Sequence, residues 1–190
     1  MRIFYAVEFP EAVKQAMTDN LREIKKHTVK GSFTHRDNFH LTFVFVGECD
    51  SRTLTNLKKA ADTAVTKLNP APVDVMIDGL GTFPRSDGDV LWAGLKVQSQ
   101  PYNILSEINK TLLTELRATG INLKQERNGF VPHVTIGRRV KFSDSADKDL
   151  EQIKFTPINF TIDAITIMES TFANKGIIYK PLYRAEFTEN

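Results

Sequence analysis

The chain has 190 residues, of which 41% are hydrophobic and 25% are charged, and its formal net charge is +2 at pH 7. This composition predicts a globular protein with a core of its own and excludes one that binds bulk duplex mainly by neutralising phosphates. No run approaches the roughly 18 apolar residues of a membrane-spanning helix, and the apolar run near the N-terminus is too short for a signal peptide. The single cysteine, Cys49, excludes an internal disulfide and a cysteine-based metal cluster. We therefore expect a monomer in the cytoplasm that has no contact with membranes.

The first half of the sequence predicts a strand, a helix, a strand, a helix and a strand, in that order. Pro10 suits the first turn of the first helix, and Asp50 or Ser51 can cap the second. The helices are indicated by apolar residues at helical spacing and the strands by alternation. The predicted bounds are strand 2–9, a helix from Pro10 to about residue 26, strand 40–46, helix 51–68 and strand 73–83, with a turn at 84–89.

The second half repeats this order from Val90 onward. The predicted elements are strand 90–97, a helix from Pro101 to Gly120, strand 129–140, a short helix over 144–152, and two closing strands at 157–168 and 176–187. No linker or low-complexity tract divides the chain. We therefore expect a single two-lobed domain over residues 1–190, with sequence halves of roughly 1–88 and 89–190.

A histidine and a threonine open the strand in the sequence NFHLTFVFV at 38–46. Strand alternation puts His40 and Thr42 on one face with Val44 and Val46, and it puts Leu41, Phe43 and Phe45 on the other face, which suits a core. A lone His-x-Thr pair on a strand is usually structural. The pattern recurs, however, at His133 and Thr135 in the corresponding strand of the second half. Internal duplication predicts that the two pairs face each other across a cleft, although a chance recurrence of so short a pattern is the alternative.

Two facing histidines are suited to moving protons, because the unperturbed pKa of histidine is about 6.5. One imidazole can take a proton from an attacking water while the other gives a proton to the leaving oxygen. The two threonine hydroxyls can hydrogen-bond two non-bridging oxygens, which fits a phosphodiester substrate. A metal site is the weaker interpretation, because His27 and His35 lie in unrelated contexts and no helix carries paired ligands. We expect a metal-independent enzyme without a cofactor, and we expect His27 and His35 to lie on the surface.

The sequence also resembles a known family over nearly its whole length. The matching fragments, in order, are MRIFYAVEFPEAV, DNFHLTFVFVGE, GLGTFP, VLWAGL, FVPHVTIGR and ITIMES. They resemble the two-histidine (2H) phosphoesterases, and among these the LigT-like RNA 2′,3′-cyclic phosphodiesterases, also called 2′-5′ RNA ligases. The resemblance implies an α+β fold of two lobes, with an antiparallel sheet in each lobe, helices outside and a central cleft.

The resemblance further implies that His40 is the proton donor, that His133 is the proton acceptor, and that Arg138 helps to bind phosphate. Under strict alternation Arg138 lies on the opposite face from His133, so this role requires a bulge at Gly137 or the end of the strand. Phe130 is a candidate for stacking on a base, and the alternative is a core aromatic.

The sequence departs from the family pattern at two places. The family often has Arg and usually has Trp where this chain has Ser32 and Phe33, and it frequently has Pro-Arg where this chain has Gly88-Asp89. These changes leave the chemistry intact and affect the surface that contacts RNA. Basic residues cluster beside the second motif against a single acid, Glu126; they are Lys124, Arg127, Arg138, Arg139 and Lys141.

Three functions fit these features. The first is hydrolysis of an RNA terminal 2′,3′-cyclic phosphate to a 2′-phosphomonoester, with 2′-5′ joining of RNA ends as the reverse reaction. The second is a phosphodiesterase acting on small cyclic nucleotides or on 2′-5′ oligonucleotides. The third is a module that binds RNA ends with little catalysis, which intact His and Thr residues in both motifs argue against. The expected partners are RNA ends or nucleotides that carry a 2′,3′-cyclic phosphate.

Overall fold

The polypeptide forms three helices and nine strands over the residues that this computed structural model describes, which are 1–121, 123, 129–143, 150–173 and 176–188. The helices are α1 (Glu11–Lys25), α2 (Ser51–Leu68) and α3 (Ile104–Ala118). The strands are β1 (Arg2–Glu8), β2 (Thr28–Phe33), β3 (His40–Glu48), β4 (Val73–Phe83), β5 (Asp89–Val97), β6 (His133–Phe142), β7 (Ile158–Ile162), β8 (Ala164–Ala173) and β9 (Gly176–Glu186).

The strands pair in two antiparallel groups that meet at the centre of the molecule. One group has the order β7-β4-β5-β6, with β2 also pairing with β6, and the other has the order β3-β1-β8-β9. β3 and β6 are joined by one residue pair, Leu41 and Val134, whereas each pairs over several residues with the strand on its other side. The predicted α+β fold with an antiparallel sheet in each lobe is confirmed.

Each lobe takes strands from both halves of the sequence. β8 and β9, from the second half, extend the sheet beside β1, and β4, from the first half, lies between β5 and β7. The predicted single strand at 157–168 is therefore wrong. It is two strands, and at Asp163 the chain passes from the partner β4 to the partner β1. The apolar alternation runs on through this point, so it carries no sign that the partner changes. The division near residue 88 stays a prediction.

Two further differences concern short elements. β2 was not predicted, because it pairs only with β6 and four of its six positions are exposed or carry polar side chains, so it lacks an apolar alternation. The short helix predicted at 144–152 is a 3₁₀ helix at Leu150–Gln152 within the described part, and residues 144–149 lie outside the described residues.

The helices cover one side of the sheet and leave the other side open. Each has a buried apolar stripe, and Asp50 caps the N-terminus of α2, where its side chain accepts a hydrogen bond from the Thr53 amide at 2.7 Å. The main core contains Ile3, Tyr5 and Val7 of β1, whereas the alternate residues of that strand face the open side. Among the described residues, none of the helices is both long and apolar enough to cross a bilayer.

Candidate active site

Both His-x-Thr motifs open the central strands, and each is followed by a β-bulge. On β3, Thr42 lies opposite Ala6 and Val44 lies opposite Tyr5, so Phe43 is an extra residue in the strand. Phe43 and Val44 are consequently both buried. A bulge of this kind reverses the alternation of every residue that follows it.

β6 has a β-bulge at the corresponding position, three residues after its histidine. Thr135 lies opposite Trp92 and Gly137 lies opposite Leu91, so Ile136 is the extra residue, and Ile136 and Gly137 are both buried. Thr34, the residue after β2, stabilises this bulge, because its amide donates a hydrogen bond to the Ile136 carbonyl at 2.8 Å. The Thr34 hydroxyl also donates to the Thr135 carbonyl at 2.8 Å.

The bulges decide which side chains join the histidines on the open face. Phe45 is 45% exposed and stacks on Phe4 at 5.4 Å between ring centroids, so its predicted place on the core face is wrong because Phe43 is a bulge. Arg138, the corresponding residue of the second motif, is exposed and lines a pocket with Tyr179, whose ring lies 5.0 Å from His40. The bulge that the role of Arg138 requires is therefore present, at Ile136 rather than at Gly137.

The two imidazoles are held in the same way. His40 Nδ1 lies 2.7 Å from the Asn38 carbonyl and His133 Nδ1 lies 2.6 Å from the Val131 carbonyl, in each case two residues upstream. Because a carbonyl only accepts, Nδ1 carries a hydrogen in both rings. Each neutral imidazole therefore keeps Nε2 as its basic atom.

The threonines complete two similar half-sites. His40 Nε2 lies 2.9 Å from Thr42 Oγ1, so the hydroxyl donates to the neutral imidazole. Thr135 is half-buried, two residues after His133 on the same side of β6. The antiparallel pair Leu41 and Val134 sets the two motifs side by side, with each histidine beside the threonine of the other motif.

Aromatic rings flank both histidines, and sequence reasoning did not identify them. Phe4 and Tyr179 each lie 5.0 Å from His40, whereas Phe83 lies 5.2 Å and Trp92 6.1 Å from His133, all between ring centroids. Phe4 could have been identified from the sequence, because the alternation of β1 puts it on the face opposite the core residues. Tyr179 and Phe83 come from strands whose neighbours only the fold defines.

The site is electropositive and water-poor around His40. Burial is the main cause that lowers the pKa of His40 to about 4; the Asn38 carbonyl opposes the shift, and nearby Arg138 and His133 add to it. Burial raises the pKa of Tyr179, while Arg138 and Arg2 oppose that shift. His40 is therefore neutral near pH 7 when nothing is bound.

The structure places the remaining candidates elsewhere. Phe130 stacks on Phe43 at 5.9 Å between ring centroids and packs against the main core, so it is not brought to the histidines. Base stacking by Phe130 stays a prediction that this packing does not favour.

The two other histidines lie away from the site: His35 is exposed, and the His27 side chain is 34% exposed. Lys124 and Arg127 lie outside the described residues. Within the described part of the chain, no group of three or more His, Cys, Asp or Glu side chains is arranged to hold a metal ion.

A two-lobed antiparallel sheet that carries one His-x-Thr motif in each lobe defines the class of two-histidine phosphoesterases. The profile of the 2′-5′ RNA ligase superfamily matches residues 9–171, and the chain belongs to this family. The family predicted from the sequence is therefore confirmed.

Curated relatives and solved structures agree with this assignment. The chain is 30% identical to an RNA 2′,3′-cyclic phosphodiesterase of Thermotoga maritima over 98% of this chain and 96% of that protein. It is also 30% identical to an RNA 2′,3′-cyclic phosphodiesterase of Methanocaldococcus jannaschii, over 95% of this chain and 97% of that protein. E. coli LigT complexed with 3′-AMP superposes with a TM-score of 0.73 at 23% identity, covering 99% of this chain and 98% of that one. The structural likeness supports the fold alone.

Proposed function

We propose that the protein is a metal-independent RNA 2′,3′-cyclic phosphodiesterase, which opens the terminal cyclic phosphate to a 2′-phosphomonoester. The observation that carries the proposal is the matched pair of imidazoles, each held through Nδ1 by a carbonyl two residues upstream and each with its Nε2 as the basic atom. An acid and a base are both needed in this reaction, and the two lobes supply one each.

In the proposed step, a water oxygen attacks phosphorus and the bond from phosphorus to O3′ breaks. His133 Nε2 takes a proton from the water, while Nε2–H of protonated His40 gives a proton to O3′. The products are a 2′-phosphomonoester and a free 3′-hydroxyl, and one water is consumed. With an RNA 5′-hydroxyl in place of water, the same step forms a bond from phosphorus to O5′ while the bond to O3′ breaks, which is 2′-5′ ligation.

The threonines and Arg138 are proposed to bind the phosphate. Thr42 donates to His40 Nε2 only while that atom lacks a proton. Once His40 is protonated, the Thr42 hydroxyl is released to donate to a non-bridging oxygen, and Thr135 does the same from the other lobe. Arg138 offsets the negative charge of the phosphate, because the bulge at Ile136 puts its side chain on the same face as the histidines.

The low pKa of His40 couples binding to protonation. An acid must carry a proton, yet the empty site holds His40 neutral near pH 7. A phosphate anion beside His40 opposes the positive charge of Arg138 and favours the imidazolium. We therefore propose that His40 takes up a proton from solvent when the substrate binds.

The experiment that tests this function offers three substrates under phosphorus NMR: an oligonucleotide 2′,3′-cyclic phosphate, a 2′,3′-cyclic mononucleotide and a 2′-5′ oligomer. We expect the first to give a 2′-phosphomonoester signal with the highest kcat/KM. Faster turnover of either other substrate would favour the alternative phosphodiesterase activities, and tight binding without turnover of any would favour an RNA-end-binding module.

The same assay in excess EDTA tests the metal-independent mechanism. We expect the rate to be unchanged, because two histidines move the protons and no clustered ligand set occurs among the described residues. Loss of activity that zinc or manganese restores would contradict the acid–base mechanism. The expected monomeric state and the cytoplasmic location stay predictions.

A further inference from the structure

The buried stripe of α3 contains one polar side chain, that of Asn109. It is 5% exposed and lies in a row with the buried residues Leu105 and Leu112. Burying a side-chain amide costs free energy unless its polar groups are hydrogen-bonded. Asn109 Nδ2 donates to the Phe43 carbonyl at 2.7 Å, inside the core. The amide therefore links the helix layer to the backbone of β3.

The acceptor of this hydrogen bond is the extra residue of the β3 bulge. In the described part of the chain, no residue of β1 lies opposite Phe43, and β6 pairs with β3 at Leu41 alone. Phe43 thus stands outside the register of both neighbouring strands. A buried carbonyl at such a place destabilises the bulge unless a donor reaches it. Asn109 supplies that donor.

The bulge on β6 is stabilised at the same atom by a different element. The Ile136 carbonyl accepts from the amide of Thr34, directly after β2, which is the third strand beside β6. Among the described residues, β3 pairs with β1 and β6 and has no third strand of this kind. The side chain of Asn109 therefore does in one lobe what the backbone of Thr34 does in the other.

The residues on both sides of Phe43 belong to the candidate active site. Thr42, directly before it, has its Oγ1 2.9 Å from His40 Nε2. Phe45, two residues after it, stacks on Phe4, whose ring centroid lies 5.0 Å from that of His40. A shift of the bulge would therefore displace the hydroxyl that contacts the acid and the rings that enclose it.

We propose that Asn109 is a positioning residue of the active site, which fixes the β3 bulge and so holds Thr42 and Phe45 in place around His40. The inference rests on the proposed function and goes beyond it, because Asn109 lies in the core and acts on the reaction only through the β3 backbone. Misplacement of catalytic groups by about 1 Å can cost up to about 100-fold in rate, so a buried hydrogen bond can matter for turnover.

The test compares Asn109→Leu with Asn20→Leu. Asn20 is the matched control, because it is 7% exposed and its Nδ2 donates to the Thr156 carbonyl at 2.9 Å, between α1 and the segment before β7. Each substitution leaves a carbonyl without its donor, so both should lower the midpoint of urea unfolding. With an oligonucleotide 2′,3′-cyclic phosphate, only Asn109→Leu should lower kcat, by about tenfold, while KM changes by less than about twofold.

NMR of the imidazole nitrogens gives a second readout, which does not depend on turnover. In protein labelled with ¹⁵N-histidine near neutral pH, we expect the Nε2 resonance of His40 to shift in Asn109→Leu, because the hydrogen bond from Thr42 Oγ1 is altered. The Nε2 resonance of His133, on the other strand, should stay in place. Asn20→Leu should move neither resonance.

Two results would overturn the inference. One is a wild-type kcat and an unshifted His40 resonance in Asn109→Leu, and the other is an equal loss of kcat in Asn20→Leu, which would indicate a general effect of lower stability. If Asn109→Leu does not fold, Asn109→Ser and Asn20→Ser replace the pair, with the same expected and contradicting results. If the wild-type protein does not hydrolyse the substrate, the proposed function fails, and the imidazole resonances still test the role of Asn109.

Discussion

Phe45 and Arg138 occupy the same place in the two motifs, five residues after His40 and His133. Each reaches the open face because one extra residue reverses the alternation of its strand. One lobe consequently presents a ring stacked on Phe4, and the other presents a cation. The two half-sites share their acid–base groups and differ in what surrounds them, so the two histidines need not play the same role.

Arg138→Ala should reduce kcat/KM about 100-fold for both RNA and mononucleotide substrates, because a charge-assisted contact to the reacting phosphate is lost in either case. Steady-state kinetics with both substrates measures this. Lys141→Ala is the matched control and should change neither value appreciably. Lys124 and Arg127 substitutions should affect only longer RNA, and more so at low salt. Equal losses on every substrate at all of these positions would contradict the assignment.

Substitution of His40 and substitution of His133 should remove opposite limbs of the pH profile of kcat. His133→Gln should leave weak activity that falls as pH rises, because protonated His40 is then the remaining requirement. His40→Gln should leave weak activity that falls as pH drops, because neutral His133 is then required. Loss of the same limb in both variants would show that the roles are assigned wrongly, and an intact bell in both would exclude these residues as the catalysts.

Thr42→Ala and Thr135→Ala should each lower kcat by about 10²–10³, the usual effect of losing one donor to a developing charge. The pH limbs should not move, since the imidazoles remain. Thr42→Ser and Thr135→Ser keep the hydroxyl and serve as controls that retain most of the rate. Rates of the serine variants as low as those of the alanine variants would point to a packing role instead.

His40 should make the stability of the protein depend on pH. Its pKa is about 4 in the folded protein and 6.5 when exposed, so between these values the unfolded chain binds more protons. The stabilisation from a neutral His40 is complete above pH 6.5 and is lost as pH falls toward 4, by at most about 3 kcal/mol. Urea unfolding at pH 7.5 and pH 4.5 should therefore show a smaller difference for His40→Gln than for wild type.

The exposed His35, substituted by Gln, is the control for this measurement. It should retain the wild-type difference, since its surroundings are open to water. A wild-type difference in the His40→Gln protein as well would mean that other groups dominate the acid limb of stability.

The periodic parts of the structure were predictable, and the irregular parts were not. The helices follow from apolar spacing, and the paired motifs follow from their repetition at His40 and His133. The bulge at Phe43 was not predicted, because an extra apolar residue leaves no trace in the sequence pattern. A bulge in the second motif was considered only as a condition for the role of Arg138, and at Gly137 rather than at Ile136. The register of β3 and β6 is therefore visible only in their pairing with β1 and β5.

The aromatic residues that flank the histidines were not predicted, for a similar reason. Tyr179 and Phe83 approach the histidines from strands far away in sequence, and alternation alone does not tell which strands become neighbours. Asp163 shows the same limit, because the strand pattern continues while the chain moves between lobes.

The exchange of strands between the lobes bears on how such a molecule is assembled. A fragment that ends in the Gly88 turn contains β1 and β3 without β8, and β4 without β5, so it completes neither sheet. The other fragment is deficient in the same way. A chain cut at the predicted division is thus expected to leave both sheets incomplete, so we expect neither half to fold without the other.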